Sequence, residues 1–162
     1  MSDFVLRTAT PADAPLILEM LRELAIYEKV PENGFRLTQD MVLRDMFGAA
    51  CHCELAFEGP EAAGIVTWFW TYKSFRGRRG LYVEDLYVKP QFRGRGLGRR
   101  FLVELAVRAR AVGGHMEWRV LDWNAPAIAF YESLGAKLVP EWVDCRLEGA
   151  GLERLAPLEE TT

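Results

Sequence analysis

Apolar positions along the chain follow two periods, and the places where one gives way to the other mark the elements. In "FVLRTATPADAPLILEMLRELAIYEKV" an alternating stretch, Phe4 to Arg7, predicts a short strand, and Leu16, Ile17, Met20, Leu21 and Leu24 then fall at helical spacing to near Tyr27. Thr10, Pro11 and Asp13 give that helix a capping-box-like start. A second cap at Thr38 leads Met41, Val42 and Met46 toward Gly48 as a shorter helix. "CHCELAFEG" and "AGIVTWFWTY" are β-rich runs split at Gly59-Pro60, which predicts an antiparallel hairpin. Leu81 to Val88 forms a third run that ends at Lys89-Pro90. Leu97, Phe101, Leu102, Leu105 and Ala106 then return to helical spacing as far as Gly113-Gly114.

"MEWRVLDW" predicts another strand, and Asn124 caps a short helix from Ala125 to Leu134 that Gly135 closes. "AKLVPEW" and "VDCRLEG" predict a last strand pair, interrupted by Pro140, and the tail after Gly151 reads as loose. The order is that of a three-layer α/β fold with a mixed sheet. Only residues 81 to 121, strand-helix-strand, demand a parallel pair.

Composition narrows the class. A chain of 162 residues with 50% hydrophobic content suits one domain, 1–162, around one core. No leader-like or membrane-spanning apolar run is visible, so the cytoplasm is the expected location and no membrane partner is expected. Cys51, Cys53 and Cys145 are too few and odd in number for a disulfide framework, and "CHC" has no second pair to complete a metal knuckle. The net charge of −3 makes the basic clusters, Arg76 to Arg79 and Lys89 to Arg100, local features and argues against nucleic acid as a partner.

The candidate chemistry sits in "YVKPQFRGRGLGRRFL". Arg93-Gly94-Arg95-Gly96-Leu97-Gly98 lies between a strand and a helix, where missing side chains let backbone N–H groups of the first turn approach an anion. The dinucleotide fingerprint fails because Arg99 stands where its third glycine belongs, and the Gly-Lys-Ser/Thr of a nucleoside-triphosphate loop is absent. A glycine-rich turn with solvated arginines is the bland alternative.

Gln91-x-x-Gly94-x-Gly96, with Glu84 on the strand before it and Asn124 and Tyr131 two elements later, resembles the acetyl-CoA loop of the GCN5-related N-acetyltransferases. "ELAIYE", "LYVEDLYV", "FRGRGLG", "WNAPAIAFYESLGA" and Trp142 are most similar to the diamine (spermidine/spermine) and thialysine acetyltransferase branch. The resemblance implies the fold of that superfamily: α/β, three layers, a mixed and mostly antiparallel sheet with a splayed parallel strand pair, and helices on both faces. It implies acetyl-CoA as donor, no metal, a small-molecule primary amine as acceptor, and a homodimer.

Residue by residue, the resemblance gives acetyl-CoA binding to Leu86, Tyr87, Val88, Arg93, Gly94, Arg95, Gly96, Leu97, Gly98, Arg99, Asn124, Ala125, Pro126, Ala127 and Tyr131. It gives amine binding to Tyr27, Glu28, Glu84, Glu117, Trp118 and Arg119, with Glu84 as base and Tyr131 as proton donor to the leaving thiolate. Strand alternation puts Glu84 on the face opposite Val83 and Asp85. Arg119 departs from the acidic character of that site and makes a substrate with its own carboxylate an alternative to a polyamine. Acetylation of protein lysines, N-termini or a drug amine stays open, as does a non-catalytic acyl-CoA-binding regulatory module. The aromatic run Trp68, Phe69, Trp70 and Tyr72 reads either as core or as a dimer face.

Overall fold

The computed structural model describes residues 4–47 and 50–156. They fall in two units, Met1–Leu121 and Asp122–Thr162. The first unit holds a five-stranded sheet in the order β1 (Phe4–Thr8), β2 (His52–Glu58), β3 (Glu61–Lys73), β4 (Arg78–Val88) and β5 (Met116–Glu117). Every neighbouring pair is antiparallel except β4 with β5. The predicted Gly59-Pro60 turn joins β2 to β3, with Gly59 at φ 56°. The β3–β4 hairpin is longer than predicted, because Lys73 pairs with Arg78 and Gly77 turns the chain at φ 60°. The arginine cluster sits on that tip.

Helix α1 (Ala14–Tyr27) and α2 (Gln39–Asp45) cover one face of the sheet, and α3 (Leu97–Ala111) covers the other. The start of α1 works as predicted: the Asp13 carboxylate accepts from the Thr10 N–H at 2.8 Å and is gripped by both terminal nitrogens of Arg7. Ile17, Met20 and Leu24 pack with Leu55, Ile65 and Tyr87. Full burial of Leu- and Ile-sized side chains contributes roughly 1.5–3 kcal/mol each, which is why helical spacing alone located this face. On the other face Gly64 is the contact point. A Cβ there would lie 3.0 Å from Phe101 and 3.2 Å from Leu97, so only glycine lets α3 approach β3 this closely.

The second unit carries α4 (Ala125–Ser133) and α5 (Ala150–Leu155). Three expectations change. "MEWRVLDW" enters the sheet only at Met116 and Glu117, since Trp118 to Leu121 have no ladder partner there. The last strand pair does not form: residues 136–149 carry no strand, and Pro140, lacking an N–H, stands in the middle of the segment. The tail after Gly151 continues the helix begun at Ala150 as far as Leu155, while its end, "LEETT", lies outside the described residues. Gly48, the expected limit of α2, also lies outside them.

Candidate active site

The site begins with a fault in the β3–β4 ladder. Thr67 pairs with Asp85 and Trp68 pairs with Val83, so Glu84 has no partner and forms a bulge. Thr67 shares the α1 face with Ile65, whereas Trp68 lies on the α3 side, with the Arg108 guanidinium 5.5 Å from its ring. Val83 therefore faces α3 and Asp85 faces α1, although only one residue separates them. This corrects the alternation argument, which had put Val83 and Asp85 on one face with Glu84 opposite. An extra residue resets the period, and nothing in local sequence announces it.

The bulge gathers carboxylates. Glu28, one residue past the end of α1, has its pKa raised above the ordinary carboxylate value, first by burial and then by the charges of Asp85 and Glu84. Asp85 is raised by burial, against the hydrogen bond from the Thr67 hydroxyl at 2.5 Å, which favours its charged form. Cys51, half-buried beside them, is pushed up to about 11 by burial and by Asp85, Glu84 and Asp45. Glu84 itself is exposed. Carboxylates that share a site resist ionising together, so Glu28 and Asp85 hold their protons above the usual carboxylate range. Asp85 and Thr67 were missed as members of it because only the bulge turns Asp85 toward Glu28.

Past Val88, at the nearby C-terminal end of β4, the glycine loop runs into the N-terminus of α3. Gly94 (φ 72°) and Gly96 (φ 83°) are left-handed, and a Cβ on either would meet nothing within 4 Å. Gly96 is the N-cap of α3 and offers no side chain; the first helical return bond is Arg100 N–H to Gly96 C=O at 3.0 Å. The amides of Leu97, Gly98 and Arg99 precede that bond and so have no acceptor within the helix, an arrangement that suits an anion. Beyond Tyr82 the β5 side of β4 has no ladder partner among the described residues, so Val83 to Val88 form an open edge leading to the loop. The arginines of the loop are less available than the sequence implied. Arg93 donates Nε–H to the Val88 carbonyl at 2.9 Å and lies over the rings of Tyr27 and Tyr87, at 5.0 and 5.8 Å. Arg95 is held by Glu58 and stacks on Phe4 and Phe92. Arg99 is exposed on the first turn of α3.

Of the proposed amine ligands, Tyr27, Glu28 and Glu84 belong to the first unit's α1 end and β4 bulge. Glu117 is engaged elsewhere: Lys73 lies 2.8 Å from its carboxylate and His115 3.3 Å, and these partners lower its pKa although burial raises it. Arg119 donates Nε–H to the Tyr82 hydroxyl at 2.7 Å, and Trp118 precedes it on the segment leaving β5. Leu86, Tyr87 and Val88 end β4, with the Tyr87 hydroxyl donating to Glu23 at 3.0 Å. In the second unit Asn124 Oδ1 accepts from the Ala127 N–H at 3.4 Å, and Ala125, Pro126 and Ala127 make the first turn of α4. Tyr131 lies on the same helix, its ring 5.3 Å from that of Phe130.

A mixed sheet whose bulged fourth strand runs into a glycine-turned helix N-terminus defines an acyltransferase scaffold, and sequence comparison agrees. Residues 17–136 match the acetyltransferase (GNAT) family, and the chain belongs to it. It is 36% identical to the thialysine N-epsilon-acetyltransferase of Caenorhabditis elegans, over 96% of this chain and 99% of that one. It is 30% identical to an L-ornithine N5-acetyltransferase of Arabidopsis thaliana, over 94% of this chain and 88% of that one. Among solved structures, an integron cassette protein from the mobile metagenome of Vibrio cholerae superposes with a TM-score of 0.81, covering 98% of this chain and 99% of that one at 23% identity, a likeness of fold. No helix among the described residues is long and apolar enough to cross a membrane. Among them, too, no group of His, Cys, Asp and Glu side chains is arranged to hold a metal ion.

Proposed function

We propose that this protein transfers the acetyl group of acetyl-CoA to a primary amine of a small molecule, a diamine, polyamine or thialysine-like amine. The observation that carries the reading is the meeting of Glu28, Glu84 and Asp85 at the bulge of the strand that leads to the Gly94–Gly96 loop. The carboxylates at the bulge draw a cationic acceptor, and the loop that follows the same end of the strand, past Val88, draws the anionic donor.

The donor supplies a thioester carbonyl; the rest of the chemistry belongs to side chains and backbone. An alkylammonium of pKa ~10.4 is neutral in only about one molecule in 10³ at neutral pH, so a base has to take its proton. Glu84 does so, directly or through water, with Glu28 and Asp85 holding the cation beforehand. As the C–N bond forms and the C–S bond breaks, backbone N–H groups at the end of β4, around Leu86 to Val88, stabilise the charge that builds on the carbonyl oxygen. Tyr131 gives a proton to the departing sulfur, while Asn124 and the first turn of α4 serve the donor. The relatives named for thialysine and ornithine acetylation support an amine of this size. The reading extends to a reducing, cytoplasmic setting, supported by three free cysteines, and to a homodimer, supported by Tyr72 and Phe75 standing exposed on the β3–β4 hairpin.

The test is thiol release from acetyl-CoA by the purified protein with putrescine, spermidine, spermine, lysine, thialysine, a lysine peptide and an aminoglycoside. Fastest turnover with a small flexible amine is expected. Turnover confined to the peptide would move the assignment to protein lysines, and none at all would leave a donor-binding module.

A further inference from the structure

Gly94 and Gly96 shape the loop before α3, yet among the described residues a Cβ on either would meet nothing within 4 Å, so nothing packs over them. Glycine has the most backbone freedom to lose, and such a loop keeps one form only if the residues around it are held. Side chains before, between and after the two glycines do this. Before them, Gln91 Nε2 donates to the Glu61 carboxylate at 3.0 Å. Between them, Arg95 donates from Nη1 to one oxygen of Glu58 at 3.0 Å and from Nη2 to the other, and its guanidinium lies 4.9 Å from the Phe4 ring and 5.7 Å from the Phe92 ring. After them, Arg100 donates from Nη1 to the Phe4 carbonyl. All three acceptors stand at one end of the sheet, since Phe4 pairs with Glu58 and Glu58 pairs with Glu61 across the Gly59-Pro60 turn. The Phe4 and Phe92 rings are buried and meet edge to face at 6.0 Å, which makes this end a firm floor.

We propose that Glu58 and Glu61, which flank the turn between β2 and β3, are positioning residues that hold the donor loop in its binding form, and that Arg95 acts through Glu58 rather than as a ligand of the donor. The inference rests on the acetyltransferase reading above and deepens it. An arginine between two loop glycines has the charge of a phosphate ligand, but here both terminal nitrogens of its fork are spent on one carboxylate and two rings bracket its plane. The pair is 38% and 34% exposed, so it contributes little to the stability of the whole domain. Its effect is local. A loop already fixed gives up less freedom when an anion arrives, and the tethers therefore act on donor affinity and leave the chemical step alone.

The experiment measures the Kd for acetyl-CoA by calorimetry, together with Tm, kcat and both KM values for an acceptor that turns over in the panel above. Glu58→Gln keeps the shape of the side chain and removes its charge; it raises the Kd roughly 2- to 5-fold, the range for an exposed ion pair, with kcat, KM for the amine and Tm unchanged. Arg95→Gln also loses the ring contacts and raises the Kd by roughly 5- to 30-fold. The double variant binds no more weakly than Arg95→Gln alone, because the two side chains act as one unit. Glu58→Asp, which keeps the charge, recovers part of the affinity, and Glu61→Ala weakens binding on its own account. Tighter binding by Glu58→Gln would mean that the released Arg95 grips the donor itself, and that outcome overturns the proposal. A joint loss of kcat, Tm and both KM values, the mark of a merely structural pair, overturns it as well. Where Gly96→Ala weakens acetyl-CoA binding and Glu58→Gln does not, the donor site stands and the positioning role falls. Should neither variant alter the Kd, the loop is not the donor site, and the acetyl-CoA reading of it fails together with this inference.

Discussion

Gly96 and Gly113 flank the same helix, both left-handed, at φ 83° and 63°, and a Cβ on either meets nothing within 4 Å. Alanine at each position carries the same backbone strain, about 1–2 kcal/mol for an L-residue held in the left-handed region. For a chain of this size that corresponds to a Tm lower by roughly 2–8 °C. The two differ in what lies before them. Gly96 presents the amides at the start of α3, whereas Gly113 closes its C-terminal end, donating its N–H to the Arg110 carbonyl at 2.9 Å. Gly96→Ala places its methyl group in the space the anion occupies and holds the phosphate away from the amides. Losing a hydrogen bond to a charged group raises KM for acetyl-CoA by roughly 10- to 150-fold. Gly113→Ala should show the same loss of Tm with KM unchanged. Thermal unfolding and initial rates at a temperature well below both transitions separate strain from binding. Equal KM values in the two variants would refute the assignment of the loop as the donor site.

Three further outcomes are expected. Tyr131→Phe lowers kcat about 10²-fold or more at saturating substrates, the lower range for a general acid, with little change in KM for acetyl-CoA; an unchanged kcat removes Tyr131 from the chemistry. Glu28 and Asp85 are raised, so kcat/KM climbs with pH through a limb above the usual carboxylate value. Asp85→Asn removes a like charge and moves the limb to lower pH, and a limb that stays put would sink the shared-site argument. By the same sign, a folded state that holds its protons more tightly than the unfolded chain loses stability as these groups ionise, and Asp85→Asn should flatten that decline in urea unfolding between mildly acidic and neutral pH. Arg93→Ala removes two ring contacts and the bond to the Val88 carbonyl, about 2 kcal/mol in all, and raises KM for the amine more than for acetyl-CoA; Arg93→Lys restores the charge but less than half of the stability.

The elements legible in the sequence were those whose evidence is local. Ile17, Met20, Leu21 and Leu24 repeat every three or four residues because one stripe of α1 meets the sheet, and that period is written in the chain itself. The glycines of the loop before α3 were equally plain, since Gly94 and Gly96 adopt a backbone conformation that other residues resist. What the sequence could not disclose depends on partners far away in the chain. The bulge at Glu84 exists only in the register between β4 and β3, and it decides that Asp85 joins Glu28. "MEWRVLDW" and the segment after Gly135 had strand-like composition, but a strand requires a neighbour to receive its N–H and C=O groups, and the sheet supplies one only to Met116 and Glu117. The arginines of the loop looked free for an anion, yet Glu58, Val88 and four aromatic rings engage Arg93 and Arg95. Hydrophobic period and backbone freedom are properties of consecutive residues, so the chain states them by itself. Register and charge pairing depend on which distant residues meet, and only the folded sheet brings those residues together.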